Sequence, residues 1–231
     1  MLVKSLPRAS ALHRQLPLFA VASTRVRFNT TFPQPKQAAE SFNARRPIEV
    51  LITNDHRSFD ELFERYHKTK GDKEAKQAIV NEFIREVAQH SIAEETAVYP
   101  LIDEVEGDKE GDHLRADHAE VKNHLFRLDK MSVGDAGFDD LFARVVAVLK
   151  SHAKEEETKH LPLLAKKMSE KERIDLSSKF LRRKAISPTR SHPNAPDKPA
   201  SLELLAGLPV APIDKLRDQT RKFAERRIPQ Q

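Results

Sequence analysis

Slid by 62 residues, the chain matches itself. His90-Ser91-Ile92-Ala93-Glu94-Glu95-Thr96 precedes Pro100-Leu101, and His152-Ala153-Lys154-Glu155-Glu156-Glu157-Thr158 precedes Pro162-Leu163. The shared pattern is H-x3-E-E-T-x3-P-L. His56 to His118, His90 to His152 and Glu94 to Glu156 each span 62 residues, and Asp55-His56 matches Asp117-His118. A duplicated unit buries equivalent faces twice, so the repeat constrains the fold more tightly than composition does.

Around these residues apolar side chains recur every three or four positions, the period of a helix. Pro47 suits a helix start. From there Ile48, Ile52, His56, Phe59, Phe63 and Tyr66 share one face, up to Lys70-Gly71. A second helix is expected over 72–105, with the stripe Ile79, Phe83, Val87, His90, Glu94, Ala97 and Leu101. After an acidic turn at 107–111, a third carries Leu114, His118, Val121, Leu125 and Leu128. A turn at 132–137 leads to a fourth, with Phe138, Leu141, Val145, Leu149, His152, Glu156 and Leu163.

Short connections between four amphipathic helices predict an all-α fold. The expectation is an antiparallel up-down-up-down four-helix bundle over 47–168, built as a two-hairpin repeat. Extra C-terminal helices follow. Ser169 with Glu172 three residues on is a capping-box pattern and predicts a helix over 169–186. Pro188, Pro193, Pro196 and Pro199 predict a linker or surface strap over 187–211. A last helix is expected over 212–228, with Ile213, Leu216, Thr220 and Phe223 on one face, either docked on the bundle or free.

The chain has no cysteine. That excludes a disulfide scaffold, an iron–sulfur cluster, a thiolate zinc site and a cysteine nucleophile. No uncharged run approaches the ~20 residues of a membrane span, so none is expected. The net charge of +5 divides unevenly: +7 over 1–47, −5 over 48–184 and +3 over 185–231. The body is acidic and the tails are basic, the reverse of a nucleic-acid binder.

Residues 1–39 contain no Asp or Glu, while Lys4, Arg8, Arg14, Arg25, Arg27 and Lys36 stand among Leu, Ala, Val and Ser. That is the composition of a mitochondrial presequence over 1–30, with a linker over 31–46. Arg27-Phe28-Asn29 resembles a matrix-protease site. The destination expected is the matrix. The alternative is a basic tail on a cytoplasmic protein.

Six polar residues stand in the apolar stripes: His56, His90, Glu94, His118, His152 and Glu156. Burying a charge without a partner costs several kcal/mol, about 2–7 even for a neutral polar group. Residues four apart on a helix are about 40° apart, so His and Glu of H-x3-E aim at one spot. Two such hairpins bring four imidazoles and two carboxylates together. The set suits two divalent metals, iron first and Mn, Zn or Cu less specifically. The alternative is a metal-free packed core.

These residues resemble the hemerythrin-like family, also called the HHE cation-binding domain, over roughly 48–167. A Pro-rich strap with His192-Pro193 and a final helix also resemble the tail of some fungal members. The resemblance implies an antiparallel bundle holding a non-haem di-iron centre, with His56, His90, Glu94, His118, His152 and Glu156 as ligands. Two departures stand out. Oxygen-carrying hemerythrins have a further histidine where this chain has Lys122, which would point to the metal region or its rim. Their last carboxylate stands five residues after its histidine, which would be Glu157, whereas the internal repeat selects Glu156. Glu95 and Glu157 are then candidates to orient imidazoles. His67 and His113, near helix ends, read as solvated, and Tyr66 and Tyr99 as packing residues rather than radical sites; His160, one turn beyond Glu156, is open to a place behind the ligands, against which its repeat partner Val98 counts.

Three functions are open at this level. One is a di-iron protein that binds or reacts with dioxygen, peroxide or nitric oxide. Another is an iron-binding or iron-sensing module whose folding depends on metal. The third is a metal-free helical interaction scaffold. No pattern specifies an organic substrate or an oligomeric state.

Overall fold

The computed structural model describes residues 45–194 and 200–227, and all the regular structure among them is helical. The expected presequence, residues 1–30, lies outside the described residues. Helix α1 (Ile48–Lys68) follows Pro47 and ends at Thr69, whose hydroxyl donates to the Arg65 carbonyl. Helix α2 (Lys73–Ala97) is capped by Asp72, whose carboxylate accepts from the Ala75 N–H at 2.9 Å. Such a cap satisfies one of the four unpaired donors at a helix start.

The expected second helix, 72–105, is interrupted. Helix α2 stops at Val98, and a short α3 (Tyr99–Glu106) carries Pro100 in its first turn. Proline has no N–H to give and crowds the carbonyl four residues back, so the ladder breaks there. The repeat-related Pro162 acts on the fourth helix differently. Helix α5 (Phe138–Glu155) passes into one π turn, Glu156–His160, before α6 (Leu161–Lys167) resumes with Pro162 in its first turn. Between them runs α4 (Asp108–Leu128). Gly107 and Gly137, at φ 99° and 79°, turn the chain into α4 and α5 in a conformation that favours glycine.

Helix α7 (Glu170–Ile186) opens with the capping box foreseen at Ser169 and Glu172. The last helix, α8 (Ala200–Asp218), begins inside the stretch expected to be linker and ends well before residue 228. Pro209 and Pro212 lie within it. Each removes one backbone bond, but packing offsets the loss: α8 lies against α2, with Ala211 and Asp214 buried. Beyond it, residues 222–227 run outside regular helix along α2. The Ala224 N–H donates to the Ala78 carbonyl at 3.0 Å, and the Asn81 amide donates to the Lys222 carbonyl at 2.9 Å.

Two apolar cores fill the body. One contains Phe59, Leu62, Phe83, Val87, Val121, Phe142, Val145 and Leu149. The other contains Ile48, Ile52, Ala93, Tyr99, Leu114, Leu161 and Phe180. Along α1, α2, α4 and α5 the chain leaves one core and enters the other across His56, His90, His118 and His152 respectively. The six polar residues therefore form a buried layer between two apolar ones. A buried Leu, Ile or Phe stabilises by roughly 1.5–3 kcal/mol, so the two cores can hold that layer in place.

Candidate metal centre

The six sequence-selected residues come together in two groups. Ligand-type atoms of His56, His90, Glu94 and Glu156 lie within 4.8 Å of one another, and so do those of Glu94, His118 and His152. Glu94 belongs to both. All six are buried, Glu94 and His118 completely. Glu94 lies 2.9 Å from His90 Nε2 and 3.5 Å from His118 Nε2, and Glu156 lies 3.4 Å from both His56 Nε2 and His152 Nε2. Both oxygens of Glu94, Glu156 Oε2 and His56 Nε2 are buried with no hydrogen-bond partner. Buried polar groups are ordinarily satisfied. Convergent, unsatisfied acceptors are what a cation would complete, so the residues fit the metal their types suggest.

Each imidazole turns its other nitrogen outward to a carboxylate. His90 Nδ1 meets Asp55 at 3.0 Å, and its repeat counterpart His152 Nδ1 meets Asp117 at 3.3 Å. His118 Nδ1 meets Glu95 at 2.8 Å, and His56 Nδ1 meets Glu157 at 2.9 Å. A carboxylate at Nδ1 holds the proton there and leaves the Nε2 lone pair facing inward, the tautomer a metal needs. The orienting role foreseen for Glu95 and Glu157 is what the structure shows. Asp55 and Asp117 were legible only as a matched Asp-His pair, with no role attached.

The π turn decides where the last two carboxylates go. Glu156, at its start, is 2% exposed inside the cluster, while the Glu157 side chain is 35% exposed and reaches His56 from outside. Inserted single π turns recur at functional sites because they re-aim side chains within an otherwise regular helix.

The electrostatics draw positive charge to this point. Burial opposes a charge on His56, but Glu156 and Glu157 raise its pKa to about 10. His90 is likewise raised: burial opposes, and Glu94 and Asp55 outweigh it. His152 is raised against burial by Glu156 and Asp117. His118 is lowered, by burial and by the neighbouring His152. Burial disfavours ionised Glu156, yet His152 and His56 hold it well below the usual carboxylate range. The carboxylates thus favour a cation, whether proton or metal ion.

The outer carboxylates have cations of their own. Lys122 does not enter the ligand cluster; its ammonium pairs with Glu95. Of the two placements expected for it, the metal region or its rim, it takes the rim, held by the carboxylate behind His118. Asp55 is paired with Lys184 of α7 at 2.6 Å and with Arg226 of the C-terminal segment. Burial opposes its charge, and Lys184, Arg226 and His90 hold it well below the ordinary value. These two cations lie outside the repeat, and nothing in the sequence pattern marked them.

Tyr99, expected to be a packing residue, is placed differently. Its hydroxyl lies 3.1 Å from His118 Nε2, 3.1 Å from His152 Nε2 and 3.0 Å from Glu156 Oε1. It sits inside the polar layer and does more than pack. Tyr66, by contrast, donates to Asp139 away from the cluster. His160 is fully buried, with Nδ1 at 2.7 Å from Glu106, and groups with Glu106 and Glu110 rather than with the six donors. His113 and His67 are exposed, as expected.

The profile of the hemerythrin HHE cation binding domain matches residues 48–164. An uncharacterized hemerythrin-like protein of Schizosaccharomyces pombe is 36% identical over 179 residues, which is 76% of this chain and 87% of that one. No solved structure gives a significant match. The chain belongs to the hemerythrin-like, HHE cation-binding family. Among the described residues, no helix is long and apolar enough to cross a membrane.

Proposed function

We propose that this chain is a non-haem di-iron protein that binds or reacts with a small molecule such as dioxygen, peroxide or nitric oxide. The observation that carries this reading is the buried layer itself: two overlapping groups of imidazole and carboxylate, with inward oxygens lacking partners. His56, His90, Glu94 and Glu156 would hold one ion, and His118 and His152 the other. Glu94 belongs to both groups and is the carboxylate placed to serve both. Imidazole and carboxylate without thiolate suit iron, and less specifically Mn or Zn; family membership makes iron the first choice. Bound iron would supply exchangeable electrons and open coordination positions.

The chain's own part is to orient and exclude. Asp55, Asp117, Glu95 and Glu157 fix the imidazole tautomers. The two apolar cores keep bulk water out. A cleft of about 330 Å³, lined by His56, Phe59, Phe83, Leu149, Ala153 and Glu157 among others, reaches the group that contains His56. Through it a small molecule would reach the ligand group at His56. The order in which successive helices cross the two cores supports the up-down-up-down, two-hairpin reading of the bundle.

The test is metal analysis of protein purified without added metal, with optical spectra of the reduced form under oxygen, peroxide and nitric oxide. Close to two irons per chain and a spectral response to one of these molecules are expected. Folded protein that takes up no metal would contradict the proposal.

One observation favours a second reading, an iron-sensing module. Arg226 and Lys184 belong to the C-terminal extension, yet both pair with the carboxylate behind His90. Metal binding stabilises whatever it holds together, so occupancy would be transmitted to that extension. An extension that is as protease-resistant without iron as with it would remove this reading. The acid-free basic segment supports delivery to the mitochondrial matrix, and a mature N-terminus near residue 30 in cell-derived protein would establish it.

A further inference from the structure

The two candidate metal positions have different surroundings, and the difference is Tyr99. We propose that the Tyr99 phenol oxygen is a ligand to the ion held by His118, His152 and Glu94, giving the two positions unlike donor sets. The inference rests on the di-iron reading above.

Spacing is the first argument. Ligands bound at ~2.1 Å and set at right angles around one ion lie ~3 Å apart. The Tyr99 oxygen is 3.1 Å from each of two imidazole Nε2 atoms and 3.0 Å from a Glu156 oxygen. It stands among these atoms as a fellow ligand would.

Proton counting is the second. In the metal-binding tautomer His118 and His152 donate through Nδ1 to Glu95 and Asp117, so both Nε2 atoms present lone pairs to the phenol. Glu156 offers a third acceptor. One hydroxyl has one proton and satisfies one acceptor of the three. A cation bound by the two Nε2 atoms and the phenol oxygen satisfies all three and leaves Glu156 to the neighbouring ion. As the metal–oxygen bond forms, the O–H bond breaks and the proton is released to solvent.

Position sets the two halves apart. The residue 62 places after Tyr99 is Leu161, which lies in the apolar core. The other half of the site therefore has no such oxygen and faces the cleft at His56 instead. Tyr99 itself is fully buried. One ion would carry the phenolate and be enclosed, and the other would be open to a small molecule.

A phenolate on ferric iron absorbs visible light by ligand-to-metal charge transfer, and excitation in that band enhances tyrosine ring vibrations. The experiment uses full-length protein loaded anaerobically with ferrous iron and oxidised with ferricyanide, with iron content measured on the same sample. The expected result is a visible band whose resonance Raman spectrum contains ring modes that shift when tyrosine is ring-deuterated. Tyr99→Phe should abolish those modes while iron is retained, and Tyr66→Phe should keep them. The chain has two tyrosines, so modes present in wild type and in Tyr66→Phe assign the ligand even if Tyr99→Phe does not fold. Iron-loaded wild type without tyrosine modes would overturn the inference, as would modes that survive Tyr99→Phe. Protein that takes up no iron overturns the di-iron reading as well, and the iron assay identifies that outcome before any spectrum is taken.

Discussion

The two halves of the site descend from one repeated pattern and differ in everything the repeat does not specify. In the half containing His56 and His90, Asp55 stands behind an imidazole, has a side chain only 6% exposed and is gripped by Lys184 and Arg226. In the half containing His118 and His152, the equivalent Asp117 has a side chain 29% exposed and a longer contact to its histidine, 3.3 Å against 3.0 Å. There the well-buried outer carboxylate is Glu95, backed by Lys122, whereas its counterpart Glu157 borders the cleft. Tyr99 occupies only the second half. A sequence repeat conserves the donors because they must converge. The neighbours that set access and basicity are Tyr99, whose repeat counterpart is the apolar Leu161, and cations from α7 and the C-terminal segment, which the repeat does not duplicate.

Removing the shared donor should affect both halves. Glu94→Ala is expected to cause near-complete loss of iron, more than the ~100-fold drop in affinity that outer partners reach. Iron content after dialysis measures it. Retention of one full equivalent would show that the halves do not share this carboxylate.

The outer aspartates should separate the halves. Asp55→Asn is expected to weaken metal binding about 10–100-fold, and Asp117→Asn to act at the lower end of that range. The reason is burial: Asp55 is enclosed and doubly paired, while Asp117 is partly screened by solvent. Competition with a chelator measures both. Equal losses would erase the distinction drawn between them.

Arg226→Ala should be milder. The arginine side chain is 28% exposed, and Lys184 remains to partner Asp55. A loss of ~1 kcal/mol is expected, a fall in Tm of ~2–4 °C for a domain of this size. Thermal melts of iron-loaded protein would show it, and an unchanged melt would detach the C-terminal segment from the site. His67→Ala, at an exposed position that packs edge-on against Phe63, should stay within ~0.5 kcal/mol of wild type and leave iron content unchanged. An effect as large as that of His90→Ala would sink the ligand assignment.

Much of this was legible from the residues. The helical period placed the four histidines on inward faces, and the 62-residue offset singled out the six donors and favoured Glu156 over Glu157. What escaped had physical causes. Tyr99 was invisible because its repeat counterpart is a leucine, so the offset carried no polar signal. Lys122 was left between the metal region and its rim because helical phase gives a direction from the axis, not the end point of a four-carbon stem. The breaks at Val98 and Glu156–His160 share one proline motif but resolve it differently, as an interruption and as a π turn, and local sequence does not distinguish the two. Helix α8 crosses two prolines because its contact with α2 outweighs a local preference, which propensity alone cannot register.

The central claim is that the buried layer holds two ions in unlike surroundings. Anomalous X-ray scattering at the iron edge, from crystals of iron-loaded protein, tests it most directly. Two peaks are expected, one within bonding reach of His56, His90, Glu94 and Glu156, the other within reach of His118, His152, Glu94 and the Tyr99 oxygen. A map with no peak in that layer, or with iron only at the separate Glu106, Glu110 and His160 cluster, would contradict the account.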